Sequence, residues 1–312
     1  MEKITVIGAG NVGATCANVI AHKNLAKEVV LLDIKEGLAE GKALDMWQTA
    51  PINSFNSRIT GVTNDYQKTK NSSIVVITSG IPRKPGMSRD DLIKTNAEIV
   101  MDVTKKAVKH SPDAILIIVS NPLDVMTYVA TKASNFPGNR VFGMAGILDT
   151  GRYRAFLAEA LNVSPLDIQA LLMGGHGDTM VPLPSYTTVA GIPVSQLIDK
   201  DELEKIVQRT RQGGGEIVGL LGTSAWYAPG AAAAQMVESI VDDQNRIFPC
   251  STCLNGEYGL KDVFVGVPVK LGKNGIEQII EVKLDAEEMK LLHASADAVK
   301  EVMKIFDDMN LS

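Results

Sequence analysis

Ile4-Thr5-Val6-Ile7-Gly8-Ala9-Gly10-Asn11-Val12-Gly13 opens the chain with a β-branched run that enters a G-x-G-x-x-G turn. The small residues of 14–21 leave that turn at helical spacing. Gly8 permits the tight turn, Gly10 removes a side chain that would block a pyrophosphate, and Gly13 lets helix and strand close up. The helix then offers free N–H groups and its positive dipole end to phosphate. Glycine turns elsewhere often only pack. What argues for a dinucleotide here is Asp33, at the end of a second apolar run, Val29-Val30-Leu31-Leu32. A carboxylate there accepts hydrogen bonds from an adenosine ribose and repels a 2′-phosphate, which favours NAD over NADP. Lys35 is a nearby cation that works the other way.

The first half continues in the same rhythm. Apolar runs at 4–7, 29–32, 58–61, 74–78, 114–119 and 141–143 alternate with helical stretches at 11–23, 36–49, 90–109 and 124–133. Alternation of this kind predicts a Rossmann-type, doubly wound parallel sheet of order 3-2-1-4-5-6, with ligands meeting the loops after strands one, two, four and five. From about residue 146 the pattern changes. Helices are expected at 149–161, 202–220 and 285–309, and strands within 168–173, 180–189, 243–249, 263–271 and 275–282, with turns at Asn255-Gly256 and Asn274-Gly275. The expected division is a dinucleotide-binding domain over 1–144 and an α+β substrate domain over 145–312.

At 312 residues the chain has ample material for a core, and its net charge of −5 argues against nucleic acid and anionic membranes as partners. Three cysteines make no disulfide framework, and no apolar run reaches the roughly twenty residues that span a bilayer. Strand one begins almost at once, leaving no space for a leader before it, so the expected location is cytoplasmic. Cys250 and Cys253 form one C-x-x-C without a second pair or a nearby histidine, which reads as structural thiols rather than a metal site.

Several later stretches carry chemistry. The loop after strand four, Ser79 to Arg89, holds Arg83, Lys84 and Arg89 among Pro and Gly. It is either a solvated basic loop or a cationic lid over an anionic substrate. Ser120-Asn121-Pro122-Leu123-Asp124 follows strand five; Asn121 can bond a substrate oxygen, or the segment is an ordinary turn capped by Asp124. Asp149 and Arg152 share a helix face, as a surface ion pair or as two site groups. His176, between Gly174-Gly175 and Gly177, is the one histidine of four whose setting suits acid–base work. Gly213-Gly214-Gly215 lies within a helical stretch and reads as a close-packing site.

Together these residues closely resemble the lactate/malate dehydrogenase family over essentially the full length. The matches are Gly8–Gly13 with Asp33, the loop from Arg83 to Arg89, Asn121-Pro122, Asp149-x-x-Arg152 and Gly175-His176-Gly177-Asp178. The resemblance implies His176 as proton donor and acceptor, Asp149 as its partner, Arg152 as clamp on a carboxylate, and Arg89 as the group polarising the reacting carbonyl. It implies NAD contacts from Gly8, Ala9, Gly10, Asn11, Val12, Gly13, Asp33, Asn96, Val119, Ser120 and Asn121. Thr223 corresponds to a pocket-wall position. Arg83 stands where lactate-type members carry a neutral residue, so the implied substrate is the dicarboxylate pair malate and oxaloacetate, with lactate and pyruvate as the alternative. A homotetramer is implied, with a dimer as the alternative. Two readings from other classes compete: a metal-dependent NAD glycosidase, for which the sequence has no ligand cluster, and a non-catalytic dinucleotide sensor, which has no need of the His and Asp.

Overall fold

The computed structural model describes residues 1–82, 86–309 and 311. In chain order the first half runs β1 (Lys3–Ile7), α1 (Asn11–His22), β2 (Glu28–Asp33), α2 (Leu38–Gln48), α3 (Ala50–Asn53), β3 (Arg58–Thr63), β4 (Ile74–Ile77), α4 (Arg89–His110), β5 (Ile115–Ile118), α5 (Leu123–Ser134) and β6 (Val141–Gly143). These strands pair in parallel in the order 3-2-1-4-5-6, as the alternation predicted. β4 and β5 at the centre are buried along their whole length, which is why they read as continuous Ile/Val/Leu runs rather than alternating ones. Burying each such side chain contributes about 1.5–3 kcal/mol, so the sheet centre is also the energetic centre of this half.

The second half adds α6 (Gly146–Leu161), β7 (Ile168–Gln169), β8 (Leu172–Gly174), β9 (Met180–Pro182), β10 (Thr188–Val189), β11 (Ile192–Pro193), α7 (Lys200–Leu221), α8 (Tyr227–Val241), β12 (Arg246–Asn255), β13 (Lys261–Gly272), β14 (Gly275–Ile279) and α9 (Ala286–Asp308). The parallel sheet continues into it: β12 pairs antiparallel with β6 at Ser251 and Gly143, and β13, β8 and β9 follow. A separate three-stranded sheet joins β11, β10 and β7. Apart from Thr223, the described loops and helices that carry expected site residues thus follow strands of one continuous sheet.

The β-like stretches expected over 180–189 are two strands: Pro182 and Pro184 withhold ladder donors, and the chain passes from β9 in the large sheet to β10 in the small one. Two other points differ from expectation. The strand expected at 243–249 begins at Arg246, since Asp243 and Asn245 take left-handed backbone angles in the turn that precedes it. Helix α8 has no counterpart in the sequence reading: Pro229 and Gly230 masked the Ala231–Ala234 run that follows them. Gly230 is there for contact, as a Cβ on it would lie 2.7 Å from Thr15 on α1.

Candidate active site

The glycine turn is built as its spacing predicted. Gly8 has φ +105° and its N–H donates to Leu32 O at 2.7 Å, which draws the turn against the end of β2. A Cβ on Gly13 would stand 1.9 Å from Gly8 O, so no other residue fits there. A Cβ on Gly10, by contrast, would meet nothing within 4 Å: the space over it is open. Gly10 is also the N-cap of α1 and no side chain caps that end, while Ala14 N–H is bonded back to Gly10 O. The first-turn N–H groups of Asn11, Val12 and Gly13 therefore face an open cradle, the arrangement an anionic pyrophosphate fits. Asp33 accepts the Ala9 N–H at 2.6 Å and the Lys35 N–H at 2.9 Å, which fixes its carboxylate at the rim of that cradle. Lys42 of α2, passed over in the sequence, donates to Ala9 O at 2.9 Å and to Asn11 Oδ1 at 3.3 Å and places a cation beside the loop.

A second cluster assembles where the loop after β8 meets α6. His176 Nδ1 lies 2.8 Å from Asp149 Oδ2, with Asp149 only 2% exposed. Because Nδ1–H donates to that carboxylate, Nε2 is left as the basic nitrogen. Burial alone would lower the imidazole pKa. The Asp149 charge and hydrogen bond, with Asp124 adding to them and Arg152 opposing, outweigh it, and His176 lies above its ordinary 6.5. Arg152 Nη1 stands 3.5 Å from Asp149 Oδ1, so the pair that shares a helix face is a buried one and not a surface bridge. Arg152 Nε is buried with no hydrogen-bond partner among the described residues, and burial pulls the guanidinium below its ordinary value. A buried cation with donors left over suits an anion.

A cavity of about 690 Å³ opens beside His176, lined among others by Arg89, Asn121, Asp178 and Glu301; Asp149 and Arg152 are not among its lining residues and meet it through the imidazole. Arg89 opens α4 immediately after Ser88, whose side chain and that of Asp91 cap the helix reciprocally. Asn121 precedes a cis bond to Pro122 and is exposed to the cavity. The alternative of a turn capped by Asp124 does not hold, because Pro122 is the N-cap of α5 and the Asp124 carboxylate points to His176 and Ser251 instead.

Other expected site residues are placed less directly. Asn96 is 2% exposed; its Oδ1 accepts the Ile81 N–H, and its Nδ2 donates to Ile81 O and Asn121 O. It therefore clips together the loops after β4 and β5. Val119 and Ser120 are buried at the end of β5, where Ser120 Oγ bonds the backbone of Ser79. Thr223 follows the Gly222 cap of α7 in an exposed bend and, among the described residues, does not line the cavity that holds Arg89 and His176. Arg83 lies outside the described residues. Cys250 and Cys253 are free thiols on β12, each pushed up by burial.

The glycine-turn cradle and the His–Asp–Arg cluster agree with comparison to known proteins. The NAD binding domain of lactate/malate dehydrogenase matches residues 2–143, and the alpha/beta C-terminal domain of lactate/malate dehydrogenase matches residues 147–308. The chain belongs to the lactate/malate dehydrogenase family. The malate dehydrogenase of Cytophaga hutchinsonii is 64% identical over 307 residues, covering 98% of both chains. The solved malate dehydrogenase of Salinibacter ruber superposes with a TM-score of 0.95 at 59% identity, over 98% of each chain. A lactate dehydrogenase of Cryptosporidium parvum, solved with lactic acid and nicotinamide adenine dinucleotide, gives a TM-score of 0.94 at 39% identity, covering 100% of this chain and 99% of that one. The shared fold therefore serves both substrates, and within the family the choice falls to side chains. As in its family, this chain is an NAD-dependent oxidoreductase.

Proposed function

We infer that the chain interconverts malate and oxaloacetate with NAD, and that the division of labour falls near residue 144, with cofactor groups before it and acid–base and carboxylate groups after it. The observation that carries this is the buried His176–Asp149–Arg152 cluster, whose imidazole lines a cavity that also receives Arg89 and Asn121. NAD, when bound over Gly8–Gly13 with Asp33 at its ribose, supplies the hydride acceptor. In the oxidative direction neutral His176 takes the hydroxyl proton at Nε2, and Asp149 stabilises the imidazolium so formed. Arg152 holds the carboxylate beside the reacting carbon, and Arg89 offers fixed positive charge to the developing carbonyl oxygen. Arg152 does so from a largely buried position, whereas Arg89 reaches in from the exposed start of α4. Asn96, Val119 and Ser120 shape the loop walls, Asn121 reaches the substrate, and Thr223 is a more distant wall. The chain is expected to work in the cytoplasm as a homotetramer, or failing that a dimer; no described helix is long and apolar enough to cross a membrane.

The second carboxylate of oxaloacetate is assigned to Arg83 on the resemblance of its loop. With pyruvate this cation would have no partner, which costs selectivity against it. The test is kcat/KM for oxaloacetate and for pyruvate with NADH. Oxaloacetate is preferred in the parent, and Arg83→Gln moves the ratio towards pyruvate by at least about tenfold, the equivalent of ~1.4 kcal/mol. A parent preference for pyruvate would overturn the malate reading; an unchanged ratio in the variant would remove Arg83 from it.

Gly213 explains how Arg152 is aimed. It is buried on α7, and a Cβ on it would lie 3.2 Å from Arg152 Cδ and 3.7 Å from its Nε. Glycine inside a helix costs about 1 kcal/mol against alanine, a cost offset here by room for the guanidinium. Gly213→Ala is expected to raise KM for oxaloacetate about tenfold through displacement of Arg152, with NADH affinity unchanged. Titration of NADH fluorescence beside steady-state kinetics checks both halves; a parent-like KM would mean that the helix gives way instead.

A further inference from the structure

Asp124 holds a buried carboxylate at the point where three loops or strands of the site converge. It is 6% exposed, on the first turn of α5 just past Asn121. Its Oδ2 accepts the backbone N–H of His176 at 2.9 Å, and its Oδ1 accepts the Ser251 hydroxyl of β12 at 2.7 Å. A Cβ on Gly175 would lie 3.4 Å from the same Oδ2, so the loop that carries His176 passes directly over the carboxylate. Hiding a carboxylate costs several kcal/mol, and helix capping does not explain it, because Pro122 is the cap and no side chain bonds that end.

We propose that Asp124 is a positioning residue for proton transfer. Through one carboxylate it fixes the peptide that carries His176 and ties the Asn121 turn to that peptide and to β12. This rests on His176 being the acid–base group. The ring is held from two sides, with Asp149 bonded to its Nδ1 and Asp124 bonded to its main chain. Charged groups around it are Asp149 and Arg152 from α6, Asp124 from α5, Arg89 from α4, Asp178 on its own loop and Glu301 of α9 across the cavity. Asp149 and Asp124 favour the imidazolium and Arg152 opposes it. Burial holds the Asp124 carboxyl above its ordinary value, and the Ser251 hydroxyl and the His176 N–H that bond it act against that rise. Neutralising Asp124 thus weakens the hold on the imidazolium without touching the Asp149 bond.

Asp124→Asn keeps the shape and an acceptor for the His176 N–H; Ser251→Ala removes the second donor and leaves the carboxylate in place. Three quantities separate the outcomes: kcat/KM for malate oxidation against pH, kcat and KM at fixed pH, and NADH affinity by fluorescence. Asp124→Asn is expected to move the acidic limb down by about half a unit or more and to lower kcat about tenfold, with NADH affinity retained. Ser251→Ala shifts both in the same direction by less, and it decides the matter if Asp124→Asn fails to bind NADH. Limbs and kcat equal to the parent in the folded variants, with only the melting temperature lowered, would reduce Asp124 to a structural tie. The underlying reading fails separately: near-parent turnover by His176→Asn would remove the acid–base role itself.

Discussion

His176→Asn lowers kcat by between about a hundred- and ten-thousand-fold, the range that a positioned acid–base supplies, while NADH still binds. The two effects separate because the imidazole belongs to the loop after β8, whereas the dinucleotide cradle belongs to the turn after β1. Asparagine retains a polar side chain in the cavity but cannot hold a proton near neutral pH. On the proposed acid–base role, oxidation of malate by the parent needs neutral His176, so its kcat/KM is expected to rise with pH through the pKa of that group. This pKa lies above 6.5, since the Asp149 and Asp124 carboxylates outweigh the penalty of burial. Reduction of oxaloacetate needs the protonated form and falls as pH passes the same point. Asp149→Asn removes the stronger of the two charges and moves the limb to lower pH. Steady-state kinetics in both directions with fluorescence titration of NADH check these outcomes. A residual rate within tenfold of the parent, or a limb that stays in place without Asp149, would exclude His176 as the group that carries the proton.

The sequence made the cradle legible because its determinants are local. Gly13 closes on Gly8 O within the one turn, and Asp33 bonds the peptide of Ala9 inside the same β-α-β unit. Asp149 and Arg152 are likewise local to one helix turn. Their meeting with His176 is a property of the sheet, which continues from β6 through β12 and β13 to β8, and the residues alone gave no distance between them. Family resemblance supplied that link. Contacts that neither spacing nor resemblance exposed are those made by residues with an ordinary local meaning. Asp124 looked like a cap and Gly213 like a packing glycine; Ser251 lies 127 residues from the carboxylate it serves. Lys42 is one more cation on an amphipathic helix until α2 folds back over Ala9. Helix α8 went unread for the opposite reason, as Pro229 and Gly230 are breakers in isolation but fit at a helix start packed against Thr15.

Arg152→Gln is expected to cost about 2–5 kcal/mol in transition-state binding, or about 30- to 5000-fold in kcat/KM, as for one member of a buried charge pair. The guanidinium has one nitrogen against Asp149 and a buried Nε without a partner among the described residues, so a substrate carboxylate completes a set that is only half formed without it. Arg152→Lys keeps the charge but not the planar fork, and recovers only part of the loss. A second readout distinguishes this role from general damage to the fold. Arg152 holds the His176 pKa down, opposing Asp149 and Asp124. Its removal therefore lets His176 keep its proton to higher pH, and the acidic limb of malate oxidation moves upward, opposite to the shift in Asp149→Asn. A cluster that merely loosened would bring water to the ring and weaken both carboxylates and the arginine together, which gives no such opposition of sign. The pair of variants, titrated side by side, thus tests whether one carboxylate and one guanidinium set the proton affinity of the same imidazole from opposite directions; limbs that move the same way would break the assignment of Arg152 to the site.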